Sequence, residues 1–215
     1  MTSTSRCSLL ALTALCGLAH AQTLQGPSSS ATPYLTSLPG GPSISVFSIL
    51  TAGDSVNLKP DGVSPYRMVG IPDGLGAYDS GEGTMTVLMN HELGSALGIP
   101  RAHGGVGSFV SRWVIDRRAT IAGAANPDFL RVFNGEDLDT SVVTTSAGTG
   151  TLTALNRYCS ADLAPQTAFF NAASGLGTQE RIFLNGEEGG GGGRVIAHVL
   201  SERTGYQLPG WTTLN

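Results

Sequence analysis

Two short stretches of the chain share a pattern, an apolar run that stops on polar side chains able to bind a cation. Residues 86–92 end in Asn-His-Glu, and residues 181–188 end in Asn-Gly-Glu-Glu. Apolar runs of this length predict buried β-strands. A strand end is a rigid place from which to present oxygen ligands to a hard cation. The sequence therefore suggests a metal site built on two strand ends, with Cys159 between them in the chain.

The first polar ending consists of Asn90, His91 and Glu92. Carboxylate and amide oxygens suit Ca²⁺ or Mg²⁺, whereas an imidazole suits a transition metal. The zinc-protease pattern is absent, because Ser95 stands where a second histidine would be required. The alternative is a strand end whose polar groups cap a neighbouring turn. His103 lies in a glycine-rich loop. This loop could let a metal or substrate approach the backbone, or it could be an ordinary surface loop.

The second polar ending contains Asn185, Glu187 and Glu188. Adjacent carboxylates repel each other unless a cation lies between them or one of them is protonated. On an exposed loop they would simply remain solvated, so a metal site and a solvated loop are both open. The glycine run that follows, residues 189–193, lacks the Lys-Ser/Thr of a phosphate-binding loop and fits a hairpin tip.

The amino-terminal segment has the features of an export signal. Residues 1–21 carry one basic residue, a short apolar stretch and an A-x-A cleavage site, which predicts a signal peptide and a secreted or periplasmic protein. Residues 22–41, rich in Ser, Pro and Gly, are expected to form a flexible leader. Loss of Arg6 with the signal leaves 11 basic and 16 acidic residues, a net charge of −5. This acidity argues against nucleic-acid binding, and no later segment is apolar enough to span a membrane.

Removal of the signal peptide also leaves Cys159 as the only cysteine. Such a thiol can be buried and inert, can pair between molecules, or can bind a metal. The sequence leaves these alternatives open, and it does not set the oligomeric state.

Glycine is abundant, with 30 in the 215 residues of the chain. This abundance indicates short strands joined by tight turns. Alternating or continuous apolar runs predict strands near residues 43–50, 66–71, 109–116, 129–133 and 141–145, and hairpins over 76–89 and 181–200. Residues 160–173 have the only helix-like composition. The expected fold class is all-β and mostly antiparallel.

Several segments together resemble a known family. Residues 66–77 (YRMVGIPDGLGA) run into residues 88–92 (LMNHE), residues 156–160 (NRYCS) follow, and the Gly-Glu-Glu of residues 186–188 comes last. This order is similar to the amino-terminal part of exported PhoX-type alkaline phosphatases and their uncharacterised relatives. The resemblance covers about residues 40–200.

The resemblance implies a fold, an activity and a set of ligands. Family members are large β-propellers that hydrolyse phosphate esters outside the cytoplasm, with iron and calcium ions at a central site. Cys159 matches the iron-binding cysteine, Glu187 or Glu188 the metal-bridging glutamate, and Glu92 a further ligand. The cofactors implied are Ca²⁺ and Fe³⁺, with Asn90, His91 and Asn185 as candidates for supporting positions around the ligands.

Two features depart from the family pattern. The spacing of 28 residues from Cys159 to Glu187 is longer than the family's usual one, which indicates a divergent branch. The eight to ten predicted strands make only two or three blades, so residues 42–215 are expected to be the amino-terminal part of a larger propeller. The competing hypothesis is a non-catalytic, calcium-stabilised extracellular propeller or binding module.

Overall fold

The computed structural model describes residues 23–36, 38, 41–42, 44–144, 150–151, 154–189 and 192–210. The predicted signal peptide lies outside these residues. Within them the regular structure is almost entirely strand and mostly antiparallel, which confirms the predicted fold class. None of the described segments forms a helix long and apolar enough to cross a bilayer.

The strands, in chain order, are β1 (Thr23–Gln25), β2 (Val46–Ser48), β3 (Ser55–Leu58), β4 (Pro65–Arg67), β5 (Pro72–Gly81), β6 (Thr84–His91), β7 (Val106–Gly107), β8 (Phe109–Asp116), β9 (Thr120–Ile121), β10 (Ala124–Ala125), β11 (Val132–Asp137), β12 (Ser141–Thr144), β13 (Gly150–Thr151), β14 (Ala154–Leu155), β15 (Tyr158–Leu163), β16 (Phe170–Asn171), β17 (Leu176–Gly177), β18 (Ile182–Glu187), β19 (Val195–Val199) and β20 (Thr204–Gln207).

The first large sheet is a four-stranded antiparallel meander in the order β5-β6-β8-β11. The β5–β6 hairpin confirms the prediction over residues 76–89. Its turn needs left-handed backbone, which Gly81 and Gly83 supply at φ of 81° and 77°, with Glu82 between them at 52°. We call this sheet the first meander.

The second large sheet contains a similar unit, β15-β18-β19-β20, which we call the second meander. Each of its strands pairs antiparallel with the next, and the β18–β19 hairpin confirms the prediction over residues 181–200. At the far edge β12 pairs with β20 in parallel, and β13 then pairs with β12. The chain thus passes from the first meander to β12, which flanks the outer strand β20, before it forms the strands of the second meander.

The first strands of the two meanders, β5 and β15, pack closely against each other. Gly74 makes this possible, because a Cβ at that position would lie 2.5 Å from the Ala161 side chain and 2.6 Å from the Cys159 carbonyl oxygen. Buried side chains from both meanders, including Leu88, Tyr158 and Phe183, form one core cluster. This packing brings the ends of β6 and β18 together.

One secondary-structure prediction is wrong. Residues 160–173 do not form a helix: β15 occupies the first part and pairs with β18, and the short strands β16 and β17 follow. Partly buried and exposed side chains alternate along β15 after the buried Tyr158, which fits a strand that packs on one face. This packing overrides the local helix-like composition.

Two further features differ from the expectations. Within the predicted leader, β1 pairs in parallel with β2, which occupies part of the strand predicted at 43–50. The described sheets do not close into a ring, so the propeller stays a prediction.

Candidate functional site

The two polar endings meet through a pair of buried asparagines. The Asn185 side-chain amide donates to Oδ1 of Asn90 over 3.2 Å, and both side chains are almost fully buried. Asn90 in turn donates to the Cys159 carbonyl oxygen over 3.1 Å. One hydrogen-bonded chain therefore links β6, β15 and β18, and it fixes the backbone that carries Cys159. Both asparagines therefore hold the strands around the cysteine together.

His91 is held on the opposite face of β6 and has no ring nitrogen to spare. Its Nδ1 donates to the Val69 carbonyl oxygen, and its Nε2 accepts from the Ser111 hydroxyl over 2.8 Å. The ring stacks on Phe109 with 4.1 Å between centroids. Burial lowers the pKa of His91 to about 4, so the imidazole is neutral at pH 7. Its contacts are those of a core histidine.

Glu92 and Glu188 bind the same cation, the guanidinium of Arg157. Nη2 of Arg157 lies 2.7 Å from Oε1 of Glu92 and 2.7 Å from Oε2 of Glu188. The two carboxylate oxygens are thus at most 5.4 Å apart, twice that distance. Nε of Arg157 also donates to Oε1 of Glu92 over 2.9 Å. Two residues that are almost a hundred positions apart in the chain are joined by a positive charge between them.

Cys159 lies beside these carboxylates. Its thiol donates a hydrogen bond to the carboxylate of Asp73. Burial raises the pKa of the thiol, and the negative charges of Asp73, Glu188 and Glu92 raise it further. The thiol is therefore protonated at neutral pH, and only a cation could stabilise its thiolate here.

Glu187 has a different environment from its neighbour Glu188. Its side chain is 3% exposed and forms an ion pair with Arg194. Oε1 also accepts from the Asn156 backbone N–H over 2.7 Å, and Oε2 from the Arg194 backbone N–H over 3.2 Å. Both oxygens are committed to protein donors. In this arrangement Glu187 holds the start of β19 and the approach to β15 rather than facing the thiol.

The residues that come together are Asp73, Glu92, Arg157, Cys159 and Glu188, which we call the Arg157 cluster. Three carboxylates and one guanidinium give it a formal charge of −2 when the thiol is protonated. As the side chains stand, no three acidic, histidine or cysteine residues in the described part of the chain are arranged closely enough to hold a metal ion. The guanidinium occupies the space between the two glutamates.

Sequence reasoning missed Asp73 and Arg157 as members of this cluster. Asp73 lies at the start of β5, beside the close contact of Gly74 with β15. Arg157 lies two residues before Cys159, within a segment that the resemblance includes. A basic residue between two acidic strand endings was the available signal.

A second group of buried polar side chains lies among β15, β19 and the loop that carries His103. His198 donates from Nδ1 to Oδ2 of Asp139 over 2.6 Å, and both residues are buried. The His103 side chain is also buried, although its neighbours Ala102 and Gly104 are exposed, and burial lowers its pKa. Nε2 of each histidine, Oδ1 of Asp139 and the Tyr158 hydroxyl have no hydrogen-bond partner among the described residues. The Asp139 carboxylate fixes the tautomer of His198.

Comparison of the chain with protein-family models, with curated proteins and with solved structures finds no match. The resemblance to PhoX-type phosphatases therefore stays an expectation from the motifs themselves.

Proposed function

We propose that this protein is an exported, metal-dependent phosphoric ester hydrolase of PhoX-like type, with the Arg157 cluster as part of its metal site. The observation that carries the proposal is the cation already held between Glu92 and Glu188, 2.7 Å from an oxygen of each. Carboxylates that gather around a guanidinium form an environment that stabilises positive charge. A metal ion could take the same position once the arginine side chain moves away.

The donor chemistry of the cluster fits both implied cofactors. Glu92, Glu188 and Asp73 offer the hard oxygen ligands that Ca²⁺ prefers, and Cys159 offers a sulfur that favours a softer ion such as iron. Deprotonation of Cys159 must accompany its binding to a metal, so iron affinity is expected to increase with pH. Glu187 and the Asn90–Asn185 pair act in this proposal as supports that position the ligands.

Bound metal ions would polarise a phosphoryl oxygen and provide an activated water or hydroxide. The chain itself contributes the positions of the ligands. Asn90 holds the Cys159 backbone, Glu187 holds the Asn156 backbone N–H, and the β5–β15 contact places Asp73 beside the thiol. Arg157 is the cationic side chain in the cluster, and its guanidinium has the geometry to bind a phosphate group.

The topology agrees with the propeller part of the proposal. The support for this part is that two antiparallel meanders of four strands each have their first strands in contact, as two neighbouring blades of a propeller would. In this proposal the acidic cluster lies at the end of the contact between the blades.

The non-catalytic alternative also has a specific observation in its favour. Four of the seven candidate residues are buried and hydrogen-bonded within the fold: Asn90, His91, Asn185 and Glu187. Apart from Oδ1 of Asn185, which has no hydrogen-bond partner among the described residues, these polar groups stabilise strand pairing and need no metal. A calcium-stabilised binding module would use the remaining carboxylates only.

Hydrolysis of p-nitrophenyl phosphate by the exported protein, supplied with Ca²⁺ and Fe³⁺, tests the proposal. We expect turnover that EDTA abolishes. Loss of a residue that only hydrogen-bonds to a metal ligand reduces activity by a factor of about 10 to 100. Substitution of the proposed ligand Glu92 by Gln should reduce kcat/KM by at least this factor. The matched control is Glu82→Gln, in the exposed β5–β6 turn, which should leave the rate unchanged. Calcium binding without any turnover would support the non-catalytic module instead.

A further inference from the structure

We propose that two adjoining cavities, which share Lys59 and Arg101 in their walls, bind a small organic anion. Its acidic group lies beside these two cations, and its apolar part fills the smaller cavity. The five residues of the Arg157 cluster line neither cavity, so this inference does not rest on the proposed metal site.

The two cavities have the size of small-molecule sites. The larger, of about 580 Å³, we call the charged cavity, and its walls include Lys59, Tyr66, Arg101, Glu136, Asp137 and Arg203. The smaller, of about 360 Å³, we call the apolar cavity, and its walls include Lys59, Arg67, Leu93, Ile99, Arg101 and Phe109. Both volumes lie in the range of about 300–1,000 Å³ that is common for ligand pockets. Because Lys59 and Arg101 belong to both walls, they mark the boundary between the cavities.

The guanidinium of Arg101 is built into this boundary. The side chain is 5% exposed, and Cζ lies 3.6 Å from the centroid of the Phe109 ring. Nε donates to Oδ1 of Asp137 over 3.1 Å, and Nη2 donates to the Tyr66 hydroxyl over 3.2 Å. Nη1 has no hydrogen-bond partner among the described residues, so the guanidinium can still donate to an anion. Since the side chain is already fixed, binding costs it little conformational entropy.

Positive charge is in excess around the two cavities, although the whole chain carries a net charge of −4. The walls contain four basic and two acidic side chains, which are Lys59, Arg67, Arg101 and Arg203 against Glu136 and Asp137. Each of the two acidic side chains pairs with one of these arginines. Lys59 and Arg67 form no ion pair with any described residue. A local surplus of positive charge attracts anions.

Lys59 supplies the adjustable cation of this boundary. It is the only lysine in the chain, since the other 11 basic residues are arginine. Asp61, in the exposed turn that follows, accepts hydrogen bonds from the backbone N–H groups of residues 63 and 64 and lines neither cavity. The lysine ammonium is a compact charge on a flexible stem. It can therefore move towards an acidic group that the fixed Arg101 holds.

The apolar cavity is the reason for an organic anion rather than an inorganic one. Leu93, Ile99 and Phe109 line it, and Ile99 is 55% exposed. A hydrocarbon part that covers these side chains removes apolar surface from water, which is favourable. The ligand class is therefore an amphipathic acid, with a carboxylate or phosphate at one end and a hydrocarbon part at the other.

Isothermal titration of the exported protein with sodium octanoate and with octyl phosphate tests this inference, with 1-octanol as the neutral control. EDTA in the buffer keeps the result independent of the proposed metal site. We expect at least one anion to bind and 1-octanol to bind about tenfold more weakly, because it lacks the charge that strengthens hydrogen bonds to the two cations. The tighter of the two anions identifies the acidic group. Binding of neither anion, or equally tight binding of 1-octanol, would overturn the inference.

Substitution of Lys59 by Gln tests the position of the acidic group. The dissociation constant of the tighter anion should rise about fivefold, the upper range for loss of an exposed ion pair. Lys59→Arg keeps the charge and should restore most of the affinity. The matched control is Arg117→Gln, which removes an exposed arginine that lines neither cavity and should leave the constant unchanged. An unchanged constant in Lys59→Gln would contradict the proposed site.

Acetylation of Lys59 gives a second measurement, for which no variant is needed. Because the chain has one lysine, peptide mass spectrometry reads the modification of this side chain directly. The tighter anion should slow acetylation by acetic anhydride in the wild-type protein, whereas 1-octanol at the same concentration should not. Equal rates with and without the anion would show that it binds elsewhere, which would also overturn the inference.

Discussion

Substitution of Glu187 by Ala lowers the free energy of unfolding by about 3 kcal/mol, whereas the same substitution at the neighbouring Glu188 lowers it by less than about 1 kcal/mol. The two residues are identical and adjacent, yet their side chains are 3% and 47% exposed. The difference in lost stability depends on how many buried donors remain without an acceptor when each carboxylate is removed.

Loss of the Glu187 carboxylate leaves several buried groups without a partner. The Arg194 guanidinium would keep only its bond to the Ala154 carbonyl, and the backbone N–H groups of Asn156 and Arg194 would lose their acceptors. Breaking a buried ion pair costs about 3–5 kcal/mol. We expect the lower end of this range, because the Arg194 side chain is 23% exposed and can still reach water. Glu188, by contrast, shares Arg157 with Glu92, which keeps the arginine paired when Glu188 is absent.

Urea unfolding of both variants and of the wild type, in EDTA so that metal binding does not contribute, gives this comparison directly. Equal losses for the two variants would show that Glu187 does not have the structural role assigned to it. Repetition in CaCl₂ then separates the two roles. The metal should stabilise the wild type most and Glu188→Ala least, because Glu188→Ala lacks a ligand whereas Glu187→Ala lacks only a support of the ligands.

Acidification from pH 6.5 to 4 removes about 3 kcal/mol of stability that depends on His91. The pKa of His91 is lowered to about 4 by burial, against an ordinary value of 6.5 in the unfolded chain. In this window the unfolded chain takes up a proton that the folded chain does not, so stability falls as the pH falls. The difference of about 2.5 pKa units corresponds to roughly 3 kcal/mol. The stabilisation is fully present above pH 6.5.

The variant His91→Gln isolates this contribution, because other groups titrate in the same range. Glutamine can still donate to the Val69 carbonyl and accept from Ser111 but carries no titratable ring. The variant is expected to be less stable at pH 7, since it loses the stacking on Phe109, but to depend less steeply on pH. A constant difference between the two proteins from pH 7 to 4 would contradict the assignment.

The sequence predicted the strands that depend on local pattern. The hairpin of β5 and β6, the strand β8 and the hairpin of β18 and β19 all contain apolar or alternating runs, and glycine lies in the turn of each hairpin. These signals are local and strong. The parallel pairing of β12 with β20 joins segments about sixty residues apart, and no local pattern specifies such a partner.

The roles within the polar endings follow from the two-residue period of a strand. Along β18, Phe183, Asn185 and Glu187 share the buried face, so the glutamate is drawn into the core together with the phenylalanine. Along β6, His91 alternates with Asn90 and lies on the opposite face. The alternation of side chains along a strand could therefore have predicted from the sequence that Asn90 and His91 point to opposite faces. The partners of these polar groups could be found only from the folded structure. Arg194, just before β19, pairs with Glu187, and Ser111 on β8 pairs with His91.

Iron content of the purified exported protein and of its Cys159→Ser variant is the most direct test of the proposed metal site. Mass-spectrometric metal analysis should find iron and calcium in the wild type. It should find calcium but no iron in the variant, because serine removes the only sulfur ligand of the cluster while its carboxylates remain. Unchanged iron in Cys159→Ser would contradict the assignment of the thiol, and wild-type protein with calcium but no iron would contradict the PhoX-like account.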